Sequence, residues 1–289
     1  MPVLNTFSIV ACDPDEPAWG VAVASKFLAA GALVPWARAG AGAIATQALA
    51  RVSFGPDGLN LLAQGTSAQE VLDRLLEHDE GRDHRQVGCV DAHGGSAAYT
   101  GPACLAWAGH RTGPGYACQG NILTGPETLD AMAAAFEQTQ GDLAARLLAA
   151  LRAGDQAGGD RRGKQSAALL VVKPGGGYGG DTDRYIDLRV DDDPDPVTRL
   201  AGLLDLHRLY FGHTPEAEHI PIDAPLAREL QAMLVQHGYY TGPITGQWDA
   251  ASIEAFAAFV GTENLEERWT PAAPHRLDPV VLRFIRERF

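Results

Sequence analysis

The chain has 289 residues, of which 46% are apolar and 20% are charged, a composition that predicts a globular protein with a substantial core. Its formal net charge of -13 at pH 7 disfavours nucleic acids and anionic membranes as partners, because both bind through concentrated basic surface. The N-terminal stretch shows no cationic leader, and no run approaches the roughly 20 apolar residues of a membrane span. We therefore expect a cytoplasmic protein with no membrane partner.

Cysteine and histidine spacing gives no indication of a metal site. The four cysteines show no CxxC spacing, and we expect them to be reduced, since disulfide frameworks are typical of short secreted chains. The nine histidines are scattered, without an HExxH motif. We expect neither a metal nor another cofactor.

The first third of the chain predicts strands followed by helices. Short β-branched, apolar runs predict strands at residues 6–12, 19–27 and 34–48, and Gly40 and Gly42 in the third run would allow another backbone to approach closely. Two short helices are predicted next. The second begins with a capping box formed by Ser67 and Glu70.

The middle of the chain repeats this grouping of strands and helices. Strands are predicted at 85–91, 96–101, 104–113 and 115–123, helices at 129–136 and 143–151, strands at 166–173 and 184–190, and a helix from Pro196 to about Phe211. Grouped hairpins with paired helices favour antiparallel sheets covered by helices over alternating βαβ units. The pattern predicts an α+β fold, a four-layer αββα sandwich.

The C-terminal part predicts a separate small domain. Residues 213–224 are polar with two prolines and are predicted to link a domain spanning 1–212 to one spanning 225–289. Amphipathic runs after the linker predict three helices, and therefore an all-α domain.

Two stretches resemble known families. Residues 1 to about 211 resemble the bacterial family called domain of unknown function 1028, in blocks that include TFSIVA, WGVAVASKF, GRDHRQVGCVD and GGDRRGKQSAALLVV. That resemblance implies an N-terminal-nucleophile (Ntn) hydrolase-like fold and no settled substrate. Residues 225 to about 260 are similar to peptidoglycan-binding-type helical modules, in LARELQAMLVQHGYYTGPITG and ASIEAFAAF. This second resemblance implies peptidoglycan fragments as a partner.

The first strand pair also resembles the start of proteasome β-type subunits, in which a threonine opens strand one. Thr6 is the matching hydroxyl, and Ser25 and Lys26 close the second strand at the corresponding place. An Ntn hydrolase uses the α-amine of its first residue as base, and such an amine has a pKa near 8. Because five residues precede Thr6, this reaction requires autocleavage at Asn5-Thr6, and Ser25 replaces a carboxylate of the proteasome pattern. Thr6 as a plain strand residue is the alternative.

Candidate substrate-binding residues lie in a polar loop and inside apolar runs. The loop before the strand at 166–173 places charges where a strand begins, which suits binding of an anionic group or an oxyanion. It contains Asp160, Arg161, Arg162, Lys164, Gln165 and Ser166. The polar residues inside apolar runs are Thr46, Gln47, Gln119 and Asn121, which either line a pocket or bond within the sheets. A solvated loop is the alternative for the first group.

These features leave three hypotheses open. The first is an Ntn-type amidohydrolase acting on a small amide or peptide-like substrate. The second is a non-catalytic Ntn-like scaffold, a homo-oligomer that binds a small ligand. The third is a peptidoglycan-associated binding protein directed by its C-terminal module. Two roles are open for the aromatic residues of that module: they stack on a ligand, or they fill a small core. These residues are Tyr239, Tyr240 and Trp248. The module itself is expected to serve docking or oligomerisation.

Overall fold

A computed structural model describes residues 6–289, and the chain divides into two compact units between Leu203 and Leu204. The first unit is α+β. Its described strands are β1 (Thr6–Asp13), β2 (Ala18–Ser25), β3 (Pro35–Arg38), β4 (Gly42–Ala48), β5 (Arg85–Asp91), β6 (Ser96–Thr100), β7 (Gly109–Gly113), β8 (Tyr116–Gly120), β9 (Ser166–Val172) and β10 (Arg184–Val190). Six of them form a sheet in the order β10-β9-β2-β1-β8-β7, and four form a second sheet in the order β3-β4-β5-β6. The pairings within both sheets are antiparallel, as the grouped hairpins predicted.

The helices of the first unit pack in pairs on different sheets. They are α1 (Phe54–Leu62), α2 (Ala68–Glu77), α3 (Glu127–Gln138), α4 (Leu143–Gln156) and α5 (Pro196–Phe211), and α5 continues into the second unit. The pair α1 and α2 contacts the four-stranded sheet, and the pair α3 and α4 contacts the six-stranded sheet. The predicted capping box is present at the start of α2, where the Ser67 side chain accepts from the Glu70 amide and the Glu70 carboxylate accepts from the Ser67 amide.

The two sheets of the first unit pack directly on each other. Valines of the six-stranded sheet meet small residues of the four-stranded sheet, in a cluster that includes Val10, Val21, Val23, Ala43 and Ala45. Full burial of a valine stabilises the fold by about 1.5–3 kcal/mol. The alternate residues of β4, such as Ile44, pack instead against α1 and α2. The side-chain period of two therefore assigns one face of β4 to each neighbouring layer.

The run predicted as a single strand at 34–48 is two strands, β3 and β4. The chain reverses at Gly40, whose φ of +72° suits glycine. Gly42 opens β4 with φ +150°, and a Cβ there would lie 2.2 Å from the carbonyl oxygen of Val90. The expected close backbone approach is therefore present at Gly42, whereas Gly40 serves the turn.

The second unit, Leu204–Phe289, is mainly helical. It contains the end of α5 and α6 (Ala224–Gln236), α7 (Ala250–Thr262) and α8 (Pro279–Arg288), which match the three predicted helices. A two-stranded sheet of β11 (Ile220–Pro221) and β12 (Arg276–Leu277) corrects the expectation of an all-α domain. Residues 213–224, predicted as a linker, supply β11 and the buried Ile222 to this unit. Within residues 6–289, no helix has the length and apolar character needed to cross a membrane.

Candidate functional site

Three hydroxyl side chains lie side by side at one end of the six-stranded sheet. Thr6 pairs with Ser25 across β1 and β2, and Ser25 pairs with Ser166 across β2 and β9. Directly opposed residues of antiparallel strands share a face. The Thr6 hydroxyl donates to Ser25 Oγ at 3.1 Å, and all three side chains are buried. The structure therefore brings together two of the three predicted catalytic residues, Thr6 and Ser25.

The backbone carbonyl of Thr6 is held by two other predicted site residues. The amide N–H of Asn121 donates to it at 3.1 Å, and Gln47 Nε2 donates to it at 3.3 Å. Asn121 directly follows β8, and Gln47 lies on β4 of the facing sheet. Both sheets thus contribute to fixing the first described residue of β1.

Four buried amide side chains and one hydroxyl connect the two sheets in a group that we call the inter-sheet amide cluster: Ser8, Gln47, Gln86, Gln119 and Asn121. Gln47 Oε1 accepts from the Ser8 hydroxyl at 2.6 Å, and Gln119 Nε2 donates to the same hydroxyl at 2.6 Å. Gln86 Oε1 accepts from Gln47 Nε2 at 2.9 Å and from Asn121 Nδ2 at 2.8 Å. All five residues are fully buried. Of the two explanations for polar residues in apolar runs, the structure shows internal bonding for Gln47, Gln119 and Asn121.

Two acceptors of the inter-sheet amide cluster have no hydrogen-bond partner, Gln119 Oε1 and Asn121 Oδ1. Gln119 Oε1 packs on Gly88, where a Cβ would lie 2.0 Å away. The orientation of Asn121 is fixed by Gln86, because Gln86 Nε2 already donates to the carbonyl of Gly120 at 2.7 Å and must turn its oxygen toward Asn121. Each unmet acceptor costs about 1–3 kcal/mol.

Thr46 lies apart from this group. It follows Ala45 and precedes Gln47 on β4, so its side chain is on the opposite face of the strand. Its hydroxyl donates to the carbonyl of Arg51 at 3.2 Å and stabilises the bend after β4.

The loop 158–166 is fastened to the end of β2 by Asp160. The Asp160 carboxylate accepts from Arg162 Nη2 at 2.6 Å and from the backbone amide of Lys26 at 3.1 Å. Its side chain is only 1% exposed. The charges of Asp160 and Arg162 therefore neutralise each other inside the loop.

The remaining predicted residues of this loop make structural contacts. Ser166 Oγ donates to the carbonyl of Phe27 at 2.6 Å, and Gln165 Nε2 donates to Asp192 at 3.0 Å. The backbone amide of Arg161 donates to the carbonyl of Ile122 at 3.0 Å. Lys26 is exposed, and its Nζ donates to the carbonyl of Lys164 at 3.2 Å, so this contact holds the amine at the surface of the loop.

A cavity of about 60 Å³ lies beside the end of the sheet. Phe7, Ser25, Asp160 and Lys164 contribute to its lining, and Lys164 Nζ donates to Asp155 at 2.6 Å. This hydrogen bond raises the pKa of Lys164. Because Phe7 follows Thr6 on β1, its side chain lies on the opposite face from the Thr6 hydroxyl. Phe7 therefore meets the cavity from the helix-covered face of the sheet, whereas Ser25 shares its face with Thr6.

Sequence reasoning missed three residues of this region: Ser8, Gln86 and Asp155. Gln86 is a polar residue in the apolar run of β5, and the criterion that selected Gln47 and Gln119 selects it equally. Ser8 alternates with Phe7 and Ile9 in a strand and carries no further signal. Asp155 lies near the end of α4, where its pairing with Lys164 depends on the path of the loop.

In the described part of the chain, we find neither an activated thiol nor a cluster of metal-ligating side chains. Burial raises the pKa of the Cys12 thiol to about 11, and burial also raises the pKa values of Cys89 and Cys118. Thiols with raised pKa values are poor nucleophiles at neutral pH. Between residues 6 and 289, no group of three or more histidine, cysteine, aspartate or glutamate side chains could hold a metal ion.

The aromatic residues of the second unit belong to its core. Tyr240 and Trp248 are buried, and Trp248 Nε1 donates to the carbonyl of Pro274 at 2.8 Å. Tyr239 meets the ring of Phe259 edge to face at 5.6 Å between centroids. Of the two roles considered for these aromatics, the structure shows the core role.

Comparisons with known proteins agree with this architecture. A model described as "Family of unknown function (DUF1028)" matches residues 6–200, and one described as "Putative peptidoglycan binding domain" matches residues 210–285. No curated protein matches the chain. The crystal structure of protein SPO2555 from Silicibacter pomeroyi, also a DUF1028 protein, matches with 32% sequence identity and a TM-score of 0.65, over 72% of this chain and 88% of that one. This chain therefore belongs to the DUF1028 family.

Proposed function

We propose that the first unit is an Ntn-hydrolase-like four-layer sandwich and that Thr6 is its nucleophile. The packing of one helix pair on each of two stacked sheets supports the fold assignment. The observation that carries the function is the position of Thr6, which opens β1 with its hydroxyl bonded to Ser25 and its carbonyl held by two amides. The activity we propose is hydrolysis of a small amide or peptide-like substrate.

The proposed reaction begins with cleavage of the Asn5-Thr6 bond, of which Asn5 lies outside the described residues. The freed α-amine of Thr6 takes the proton of the Thr6 hydroxyl, and Oγ1 attacks the substrate carbonyl. The amine leaving group departs with a proton, and water then hydrolyses the Thr6 ester. Ser25 orients the hydroxyl before attack, because it accepts the Thr6 proton in a hydrogen bond at 3.1 Å.

The loop 158–166 supplies the proposed binding site for an anionic end of the substrate. Asp160 and Arg162 neutralise each other, so we assign this role to Arg161, which lies between them in the sequence and is exposed. Lys26 donates to the carbonyl of Lys164 in the same loop, and its proposed role is to order the loop.

Intact mass of the purified full chain tests this proposal. We expect a mass that begins at Thr6, and we expect Thr6→Ala to stay unprocessed. Thr46→Ala is the matched control, because it removes a buried threonine hydroxyl on the far face of β4 and should process normally. A β-lactone probe should label Thr6 in the processed chain alone. Equal labelling of the Thr6→Ala variant, or a mass that begins at Met1 or Pro2 in a labelled protein, would show the mechanism to be wrong.

A non-catalytic scaffold is the second candidate for the first unit. Thr6 has no exposed surface in the intact chain, and the side chain that its hydroxyl contacts here is an uncharged serine. An unprocessed protein that still binds small anions, with a homo-oligomeric mass in light scattering, would favour this candidate.

For the second unit we propose binding of peptidoglycan fragments, which the family match over residues 210–285 supports. The predicted docking role is its alternative, and the cytoplasmic location stays a prediction. Retention on purified peptidoglycan, compared with a chain that ends near Phe211, tests the proposal. Equal retention of both proteins would contradict it.

A further inference from the structure

A cavity of about 450 Å³ in the first unit has no part in the function proposed so far. It lies where β6 ends and β7 begins, and its lining includes Thr100, Gly101, Ala106, Ala108 and His110. Pockets for small-molecule ligands measure about 300–1,000 Å³. The cavity is therefore large enough for a group of dipeptide size.

The strand register places this cavity close to Thr6. Phe7 of β1 pairs with Gly120 of β8, and Gly120 pairs with Gly109 of β7, which lines the cavity. Adjacent strands lie about 4.8 Å apart, so Gly109 is about 10 Å from Phe7, the residue that follows Thr6. The cavity and the proposed nucleophile thus lie at the same end of the six-stranded sheet.

The side chain of His110 lies on the same face of this sheet as that of Thr6. His110 pairs with Gln119, and Gln119 pairs with Ser8, so the three side chains share a face. Ser8 comes two residues after Thr6 on β1 and therefore also shares its face. On this face, His110 Nδ1 lies 2.9 Å from Oγ1 of Thr100, which belongs to the facing sheet. One extended ligand at this end of the sheets can therefore reach from Thr6 to His110.

One wall of the cavity is bonded to the segment that holds Thr6. The amide of Asn121 donates to the Thr6 carbonyl at 3.1 Å, and the amide of the next residue, Ile122, donates to the carbonyl of Leu105 at 2.9 Å. Ile122 has a φ of +51°, which is unusual for a β-branched residue. Strained backbone of this kind clusters at binding and catalytic sites, where the surrounding structure maintains it.

His110 offers a hydrogen-bond donor to a ligand. Gln86 Nε2 donates to Thr100 Oγ1 at 3.0 Å, so the proton of the Thr100 hydroxyl is directed to His110 Nδ1. Burial lowers the pKa of His110, and its ring is therefore neutral at pH 7 with the proton on Nε2. No side chain or carbonyl in the described part of the chain accepts from this Nε2, so it is available to a carbonyl oxygen of a ligand.

The rest of the lining favours an aliphatic group. Pro102, Ala106 and Ala108 contribute apolar surface, and the neighbouring Leu105 side chain is 50% exposed. Among the described residues that line the cavity, none is acidic, and the guanidinium of Arg111 is paired with Asp130 at 2.7 Å. An ammonium group would therefore enter without a counter-charge, whereas an aliphatic side chain would bury apolar surface.

We propose that this cavity binds a distal part of the substrate, an aliphatic residue of a peptide-like chain whose carbonyl accepts from His110. An extended chain advances about 3.3 Å per residue, so a separation of about 10 Å places this residue about three positions from the bond that Thr6 attacks. The inference rests on the proposed amidohydrolase function and narrows its substrate class to short peptides with an aliphatic residue at that distance.

Titration of the full Thr6→Ala chain, which cannot turn over a substrate through Thr6, tests the inference. The probes are N-acetyl-Ala-Leu-amide and N-acetyl-Ala-Asn-amide, and NMR of the histidine ring signals follows binding. We expect the leucine probe to bind at least about tenfold more tightly than the asparagine probe of similar size. Adding His110→Phe should weaken the leucine probe by about threefold to tenfold, as expected for one hydrogen bond between neutral groups.

His93→Phe is the matched control, because it makes the same substitution at an exposed position before the start of β6, at the other end of that strand. It should leave the affinity unchanged. Ala108→Leu fills the cavity and should abolish binding while the circular dichroism of the protein stays the same.

Equal affinity for the two probes, equal effects of His110→Phe and His93→Phe, binding that survives Ala108→Leu, or no binding at millimolar probe would overturn the inference. Processing and β-lactone labelling of the unsubstituted chain report separately on the proposed function. A processed and labelled chain without His110-dependent binding removes this inference alone. Binding that depends on His110 in a chain that is never processed keeps the cavity as a peptide site and removes the amidohydrolase function alone.

Discussion

Replacing Gln47 by methionine removes the central member of the inter-sheet amide cluster while nearly conserving side-chain volume. The amide accepts from Ser8 at 2.6 Å and donates to Gln86 at 2.9 Å, with two longer bonds to the carbonyls of Thr6 and Gln119. Thr6 and Gln86 keep another donor each, from Asn121, whereas Ser8 loses its acceptor. At about 0.5–1 kcal/mol for each of the two short bonds and about 1–2 kcal/mol for the stranded hydroxyl, we expect a loss of about 2–4 kcal/mol.

Hydrogen exchange of peptides from β1 and β4 measures this loss in the first unit alone. A loss of about 2–4 kcal/mol corresponds to exchange about thirtyfold to a thousandfold faster in these strands. Gln69→Met is the matched control, because Gln69 is exposed on α2 and bonds to Asp73 alone at 2.9 Å, and it should change exchange by less than about twofold. Equal exchange in the two variants would refute the assignment of stability to the cluster.

Three further predictions concern other parts of the fold. Arg268→Met leaves the buried Asp278 carboxylate unpaired and should destabilise the second unit by about 3–5 kcal/mol, seen as a lower urea midpoint of its helical signal; an unchanged midpoint would contradict the burial of this pair. The hydrogen bond from Arg85 lowers the pKa of Asp79, so Asp79 stabilises the fold above its ordinary pKa of about 3.9 and loses this contribution as the pH falls through the lowered value. In the Asp79→Asn variant, the urea midpoint should therefore depend less on pH between pH 5 and 2 than in the unsubstituted protein. Equal pH dependence of the two proteins would refute this. Gly42→Ala places a Cβ 2.2 Å from a backbone carbonyl oxygen and should cost about 2–4 kcal/mol in a thermal melt, whereas a neutral effect would mean that β4 can move away from β5.

Local signals predicted most elements of the fold because they act over a few residues. The capping box at Ser67 and Glu70 and the proline at the start of α5 mark helix starts that the structure confirms. The reversal at Gly40 was missed because the apolar pattern continues across it. The strand pair β11–β12 was missed because each strand has two residues and pairs across more than fifty positions.

The candidate site was less predictable because a polar residue inside an apolar run does not reveal which layer its face of the strand will meet. Thr46 and Gln47 met the same criterion, yet they lie on opposite faces of β4, and Gln47 alone reaches Thr6. Gln47 and Gln119 do lie together, and their common partner Ser8 comes from a third strand. For Lys26, the decisive contact is with a loop more than a hundred residues away.

The inter-sheet amide cluster also has a consequence for how the two sheets are aligned. Valine and alanine faces alone would tolerate sliding of one sheet over the other, since apolar contact is not directional. A slide of one residue pair would move Gln47 away from Ser8 and Gln86 away from Asn121, and would leave several amide groups unpaired in an apolar layer. The hydrogen bonds of the cluster therefore favour one relative position of the two stacked sheets. A variant with an all-apolar version of this layer would keep its strands and lose the single position in which Thr6 meets Gln47.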